Sequence, residues 1–487
     1  MSTSRARALA ITIGAPLALA LVVIAPPGVS SPPLSISATD LVSVFALGVT
    51  PIISAYVLVE VVAFLVPSLS RLRHDNPAGR SKLERAAWVL ATIFGALQAF
   101  GMSLAIEGAS VGPFSDSNPF VHDPGWAFRG LFCLSMLGGV AVTALVARWI
   151  SSQGLANGLA ILSATGAVRA SVLGLLPTRS APNTTSLHEA NTSRLPLVLA
   201  SIAVMVAASV FALLAARPAR SRTSPRAEGP YRSLRQLLVK PVIAIPTGTL
   251  QSIAITTGAV ALARHTNVPG LDGIGGVVLT FAIACVVNYV VARIIHRPAE
   301  LQRLMTRAGG ANGADGRAAI DRAWVPSVLF ILAWTAATSA CGTLGVALGG
   351  TVALCTAIAF DVVVAWRASE LGERCVVWED RRLAAVHAVR AAMREAGLNA
   401  SVGGASLTAL FGPFVPYSPA QIVVPAADRE PALAWIARLL AKDEQEATAQ
   451  PLPDDGPFAP PRRRTIWGIA LVSASSVLVL VTAWRWD

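Results

Sequence analysis

The chain has 487 residues, of which 54% are hydrophobic and only 14% charged, and its mean hydropathy is +0.60. Soluble domains usually carry about 25% charged residues, so this composition excludes an ordinary soluble protein. The formal net charge is +12, but the basic residues lie in loops between apolar segments. That distribution is typical of membrane proteins, whose cytoplasmic loops are rich in lysine and arginine, and does not indicate a nucleic-acid-binding patch.

Cysteine and histidine give no sign of a metal site. No two of the five cysteines form a CxxC pair, and four of the five lie in apolar segments, so we interpret them as small core residues. The six histidines are scattered, without an HExxH pattern. The sequence therefore predicts no metal, no cofactor and no catalytic residue.

Apolar segments long enough to cross a bilayer recur along the chain. The first, residues 9–26, follows a basic start and is similar to a signal peptide, but its apolar core is long for one, so we interpret it as an uncleaved span. Nine further spans are predicted at 41–67, 86–106, 127–149, 155–177, 195–216, 241–263, 274–295, 323–343 and 350–367.

Loop charges predict the orientation of these spans. The loops after spans two, six and eight, within 71–85, 217–240 and 297–322, are rich in arginine, whereas the alternate loops carry only Arg179, Arg194 and Arg264. Because cytoplasmic loops carry the excess of positive charge, the N-terminus and the segment after span ten are predicted to be cytoplasmic.

The composition changes after span ten. A strand is predicted at "RCVVW" and an amphipathic helix from Arg381 to Ala396, ended by Gly397. A second strand is predicted at "AQIVVPA", and Asp428 is predicted to cap a second helix, whose Leu433, Ile436 and Leu440 face inward. These elements predict a small α+β module able to fold alone.

The sequence thus predicts an all-α polytopic membrane bundle with a small α+β cytoplasmic domain and an eleventh span at its C-terminal end. The predicted division is a ten-span domain, the small module, a linker rich in proline and arginine, and a final span, at residues 1–367, 368–446, 447–464 and 465–487.

Five segments, in order, resemble the SecY family, the pore subunits of the general protein translocase. The second span and the basic turn with the third span resemble it most, in "SVFALGVTPIISAYVLVEVVAFLVPSL" and "NPAGRSKLERAAWVLATIFGALQAFGMS". The other three are "ISSQGLANGLAILSATGAV", "RPAELQRLMTRAGG" and "LGGTVALCTAIAFD". The resemblance covers residues 7–367 and implies a bundle of two five-span pseudo-repeats that conducts polypeptides across, or inserts them into, the plasma membrane.

The resemblance also implies a pore ring and a lateral gate. A ring of apolar side chains gates such a pore by excluding water, and polar contacts between helices hold a gate that signal sequences can part. The implied ring is Val49, Ile53, Leu159, Ser163, Leu250 and Cys355. The implied gate residues are Ser54, Gln98, Thr247 and Thr249. Ser163 stands where the family has a bulky aliphatic residue, so its hydroxyl is expected to weaken the seal.

Partners are implied in the same way. Small membrane subunits similar to SecE, and also to SecG, would accompany the chain, with the SecA motor or a ribosome at the cytoplasmic loops and polypeptide clients in the pore. The implied docking residues are Arg220, Arg222, Arg226, Arg232, Arg235, Arg303, Arg307 and Arg317. Both docking loops depart from the family pattern. This class of protein is not itself an enzyme.

Two further features are specific to this chain. Glu60 places an acid in the second span, where the family usually has glutamine; it is expected to be protonated or to pair with Arg169, because a lipid-facing charge is costly. Pro32 and Pro33 interrupt the segment after the first span, so no plug helix is predicted there.

Two alternatives to a channel remain open from the sequence. One is a scaffold or regulator derived from a SecY-like protein that no longer translocates, favoured by the altered loops and the added module. The other is a small-molecule transporter or membrane enzyme, for which the sequence offers no paired intramembrane acids.

Overall fold

The computed structural model describes residues 3–22, 24–29, 43–65, 69, 77–109, 121, 123–175, 185–215, 253, 256, 273–295, 316–368, 374–380, 383–411 and 419–449. Contacts divide the chain into two units, Met1–Val198 and Leu199–Asp487. The predicted span 241–263 lies almost wholly, and the predicted final span 465–487 wholly, outside the described residues. The segment for which no plug helix is predicted also lies largely outside them.

Among its described residues, the first unit contains five complete helices and the beginning of a sixth. They are α1 (Thr3–Leu21), α2 (Thr50–Leu65), α3 (Pro77–Ala109), α4 (Trp126–Gln153), α5 (Gly158–Leu175) and α6 (Thr185–Ala215), the last of which continues into the second unit. Each overlaps a predicted span, with boundaries that differ by up to about ten residues. α3 and α6 begin in the polar flank before the apolar core, whereas α2 begins later than predicted, after a run of turns.

Neighbouring helices of the first unit pack in sequence order. α2 packs on α3, α3 on α4 and α4 on α5, while α1 lies against α4 and α5. The side chains of Ile52, Ala55 and Met136 are fully buried in these contacts, whereas Leu97 and Leu134 are 67% and 68% exposed. Apolar side chains both inside and outside are typical of a helix bundle surrounded by lipid.

An ion pair joins the end of α3 to the beginning of α4. Arg129 donates from Nε to Glu107 at 2.8 Å, and its terminal nitrogen lies 2.6 Å from the same carboxylate oxygen. The other oxygen of Glu107 accepts from the backbone N–H of Gly125 at 2.9 Å. The guanidinium also lies 5.1 Å from the ring centre of Trp126. Glu107 therefore holds the start of α4 through both a charge and a backbone amide.

The second unit continues with α7 (Gly273–Ile295) and α8 (Gly316–Ala368), which pack together. Trp324 in α8 donates from Nε1 to the carbonyl of Cys285 in α7 at 3.3 Å.

Helical turns in α8 follow one another without a break through two predicted spans, 323–343 and 350–367. The Trp334 ring nevertheless lies 3.1 Å from where a Cβ on Gly349 would stand. A straight helix would separate residues 334 and 349 by about 22 Å along its axis. The chain must therefore turn back on itself between them, as two consecutive spans require.

Residues 374–449 form the C-terminal module, whose strands are β1 (Arg374–Asp380), β2 (Ser401–Gly403) and β3 (Ala420–Pro425). They form an antiparallel sheet in the order β1-β3-β2. Its helices are α9 (Leu383–Glu395), α10 (Ala405–Phe411) and α11 (Arg429–Ala449), the last preceded by a 3-10 turn, Ala426–Asp428. α9 packs on all three strands.

The predicted strands and both predicted helices are present in this module, whereas β2 and α10 were not predicted. Gly397 ends α9 with a φ of 83°, and the N–H of Leu398 donates to the carbonyl of Met393 at 3.0 Å. This glycine stop was predicted, since only glycine adopts the left-handed conformation readily. β2 and α10 were missed because each is too short to show a period in the sequence.

Four helical segments among the described residues are long and apolar enough to cross a membrane. They are Lys82–Gly108, Trp126–Gln153, Val198–Ala215 and Gly349–Ala368, and shorter apolar helices occur at Thr50–Val59, Gly276–Val290 and Trp324–Ala337. All seven fall within predicted spans or overlap them.

Candidate functional site

Two helix starts in the first unit carry most of the implied pore ring. The first is the start of α2, where residues 43–49 form a run of turns. Gly48 adopts a φ of 50°, and its N–H donates to the carbonyl of Phe45 at 3.0 Å. Pro51 fits the first helical turn because its missing N–H would have no partner there. Val49 is buried and Ile53, one turn later, is half-buried.

The second helix start is the junction between α4 and α5. Ser151 accepts a hydrogen bond at its hydroxyl oxygen from the N–H of Gly158 at 2.8 Å, and Asn157 accepts at its side-chain oxygen from the N–H of Ala160 at 3.2 Å. These two side chains cap amides that the first turn of α5 leaves without helical partners.

Helix α1 secures the same junction. Thr12 donates its hydroxyl to the carbonyl of Ala8 at 2.7 Å and accepts from the N–H of Leu155 at 2.9 Å. Because Thr12 and Leu155 are 143 residues apart, this contact fixes α1 to the turn that precedes α5.

Two glycines let backbone segments approach closely at these helix starts. A Cβ on Gly139 in α4 would overlap the carbonyl of Val44, just before α2, and a Cβ on Gly158 would overlap the carbonyl of Ala147. Any larger residue at either position would push the chain away. The positions of both ring-bearing helix starts therefore depend on glycine.

The ring residues on α5 are Leu159 and Ser163, both half-buried. The hydroxyl of Ser163 donates to the carbonyl of Leu159 at 2.6 Å. Val49, Ile53, Leu159 and Ser163 all belong to the first unit. Cys355 is half-buried in α8 of the second unit, and Leu250 lies outside the described residues.

The implied gate is described in part. Ser54 on α2 and Gln98 on α3 are both half-buried, on helices that pack together. The side-chain oxygen of Gln98 is buried without a hydrogen-bond partner, which is the kind of polar group expected along a seam that opens. Thr247 and Thr249 lie outside the described residues.

The docking arginines are almost entirely outside the described residues. Only Arg317 falls within them, in the first turn of α8. Glu60 lies in α2, but its side chain is not among those described, so its pairing with Arg169 stays a prediction. Among the described residues, no group of three or more His, Cys, Asp or Glu side chains could hold a metal ion.

Two polar features of the bundle were missed from the sequence. The first is a stack across three helices: the ring of Tyr56 meets the edge of Trp88 at 6.2 Å, and Arg148 lies 5.2 Å from the ring centre of Trp88. Nothing in the sequence pairs these residues. The second is Asp361 on α8, and its signal was present, because an acid interrupts the apolar run "AIAFDVVVAW".

Comparison with known proteins identifies the family of this chain. A family model described as SecY matches residues 43–312, more than half of the chain. The SecY translocase subunit of Buchnera aphidicola subsp. Baizongia pistaciae is 27% identical over 146 residues, covering 30% of this chain and 32% of the relative. That of Thermotoga maritima is 31% identical over 129 residues, covering 26% of this chain and 28% of the relative.

These alignments span about a third of the length of the curated relatives. A solved structure described as that of a protein conducting channel covers 76% of this chain and 94% of its own, with 13% identity and a TM-score of 0.45. The match over residues 43–312 includes both ring-bearing helix starts and the helices α2 to α7. The chain belongs to the SecY family.

Proposed function

We propose that this chain is a protein-conducting channel subunit that passes polypeptides across the plasma membrane or inserts them into it. The observation that carries the proposal is the family match over residues 43–312, which includes the glycine-dependent starts of α2 and α5. In this proposal Val49, Ile53, Leu159 and Ser163 contribute four of the six residues of the ring.

The mechanism requires a constriction that excludes water and a seam that opens sideways. Apolar side chains at a narrow point block ions because water leaves the constriction. The half-buried Ile53 and Leu159 suit this role. A polar seam held by contacts of about 0.6–2 kcal/mol each can open for a signal sequence, and Gln98 supplies a buried acceptor for such a contact.

Partners follow from the same proposal. A small membrane subunit similar to SecE would accompany the channel, with a second one similar to SecG, and a SecA motor or a ribosome would dock at the cytoplasmic arginine loops. Arginine suits a phosphate-rich ribosomal surface because its guanidinium binds phosphate with two hydrogen bonds.

The proposed orientation places the N-terminus in the cytoplasm, together with segments 71–85, 217–240, 297–322 and 368–464. Single cysteines placed in each segment of a cysteine-free variant should react with an impermeant thiol reagent only from the cytoplasmic side. Labelling of the 368–464 segment from outside would overturn the orientation.

Site-specific crosslinking tests the channel function. A photoreactive amino acid at Ile53 should crosslink to an arrested secretory chain engaged with the protein. The matched control is Leu145 on α4, an apolar side chain that is 65% exposed on the bundle surface. Equal crosslinking at the two positions, or none at Ile53, would contradict the proposal.

A scaffold or regulator without translocation is the second candidate, and the C-terminal module, which packs on α8, favours it. Affinity purification in mild detergent separates it from a transporter, since both channel and scaffold would retain a partner similar to SecE. Crosslinking at Ile53 then distinguishes the channel from the scaffold.

A further inference from the structure

Asp361 links the tenth-span segment of α8 to the C-terminal module. It is only 5% exposed. One carboxylate oxygen accepts from the backbone N–H of Ser406 at 3.0 Å, and the other accepts from that of Leu407 at 3.4 Å. Both amides belong to the first turn of α10, 45 and 46 residues further along the chain.

Helix α10 cannot supply this cap itself. It has seven residues, from Ala405 to Phe411, and is preceded by Gly404, which has no side chain. A helix leaves its first amides without helical partners, and one this short gains little stability from its own hydrogen bonds. The carboxylate of Asp361 satisfies two of those amides, and its negative charge lies at the positive end of the helix.

Packing between α8 and the module adds to the contact that Asp361 makes. α8 packs against both α10 and β2. Residues 406–410 of α10 are all buried, as is Ala365, one turn beyond Asp361 on α8. The module therefore packs against α8 at Asp361 through both α10 and β2.

Position in the apolar segment makes this acid informative. Asp361 lies within Gly349–Ala368, a segment apolar enough to cross a membrane. A carboxylate facing hydrocarbon is costly, and such residues within spans usually face protein and find a partner there. The module supplies that partner here, because the first backbone amides of α10 donate hydrogen bonds to the Asp361 carboxylate.

We propose that Asp361 fixes the C-terminal module to the tenth-span helix as a rigid extension, so that the module moves with this helix. Any displacement of the tenth span, by a client or by a partner subunit, would then displace the module at the membrane surface.

Hydrogen exchange in the full-length protein tests the contact. In Asp361→Ala, exchange of amides in residues 401–411 should rise about tenfold, while β1 and β3 stay protected because they pair with each other. Asp361→Asn should have a smaller effect, because one amide oxygen remains to accept a hydrogen bond. Glu430→Ala is the matched control: its side chain is 80% exposed, and removing the charge should leave residues 401–411 unchanged.

Distance measurement tests the rigid attachment. Spin labels at Val363 on α8 and Arg438 on α11, both exposed, should give one narrow distance distribution in a protein without other cysteines. Adding Asp361→Ala should broaden it. Unchanged exchange in residues 401–411, a rise that spreads equally over the whole chain, or a distribution that stays narrow in the variant would each overturn the proposal.

Discussion

Ser163 donates its hydroxyl to the carbonyl oxygen of Leu159, 2.6 Å away and one turn earlier on α5. Both residues belong to the implied pore ring. The sequence predicts that a hydroxyl at this position would wet the ring, but its proton is already used within the helix. Only the oxygen lone pairs remain to attract water, so the polarity of Ser163 is reduced without being removed.

We expect the channel to leak small ions slightly, and Ser163→Ile to reduce that leak, because an aliphatic side chain excludes water from the constriction. Ion flux from reconstituted vesicles is the measurement. Thr165→Val is the matched control, since Thr165 makes the same kind of bond, to the carbonyl of Ile161 at 2.9 Å, but is not a ring position. If vesicles with the original protein and vesicles with the Ser163→Ile variant are both ion-tight, the pore is closed by packed helices and not by the ring. That result would favour the scaffold function.

Gly139→Ala and Gly158→Ala should each destabilise the first unit. A Cβ at either position would overlap a backbone carbonyl, and inserting a methyl group into such a contact costs about 1–3 kcal/mol. Gly138→Ala and Gly166→Ala are the controls, because a Cβ at those positions meets nothing within 4 Å. These should be neutral or stabilising by about 0.5–1 kcal/mol through helix propensity. Thermal unfolding in detergent compares the four variants, and equal effects would contradict the close contacts.

Glu107→Gln should loosen the connection between α3 and α4. Glutamine keeps one acceptor oxygen but loses the charge that Arg129 and the N–H of Gly125 both bind, so a lower thermal midpoint is expected. Arg129→Lys should also lower it, since lysine cannot reproduce the planar arrangement of donors. Asp123→Asn, an exposed acid in the same region, should have no effect; a comparable decrease there would indicate a general effect of charge.

His387 should make the C-terminal module sensitive to acid. Its side chain is 5% exposed, and burial, reinforced by the charge of Arg390, lowers the pKa of His387 from 6.5 to about 3. Between these values the unfolded module binds the proton and the folded module does not, so stability is lost as pH falls below 6.5. At pH 5 the module should be about 2 kcal/mol less stable than at pH 8.

The pH dependence of the module's stability can be measured by unfolding the full chain in urea and detecting unfolding as proteolytic cleavage within residues 383–411. The glutamine in His387→Gln does not titrate, so this variant should lose most of the difference between the two pH values even if its overall stability changes. His387 is the only histidine after residue 296, so an unchanged pH difference in the variant would show that another group causes it.

The sequence determined the membrane character, the positions of most helices and the family. Spans are recognisable because crossing hydrocarbon requires a long apolar run whatever the surrounding structure. The ring-bearing segments were identified through their resemblance to the SecY family. Gly397 was predicted as a helix stop, since its left-handed conformation is a local requirement.

Only the tertiary structure paired residues that are distant in the chain. Glu107 with Arg129, Thr12 with Leu155 and Asp361 with α10 are joined by the folding of the chain. Asp361 shows the difference most clearly. The sequence places an acid in an apolar span, but local periodicity cannot reveal that two backbone amides 45 and 46 residues away would satisfy it. Local composition governs where helices form, whereas packing geometry governs which polar groups they bring together.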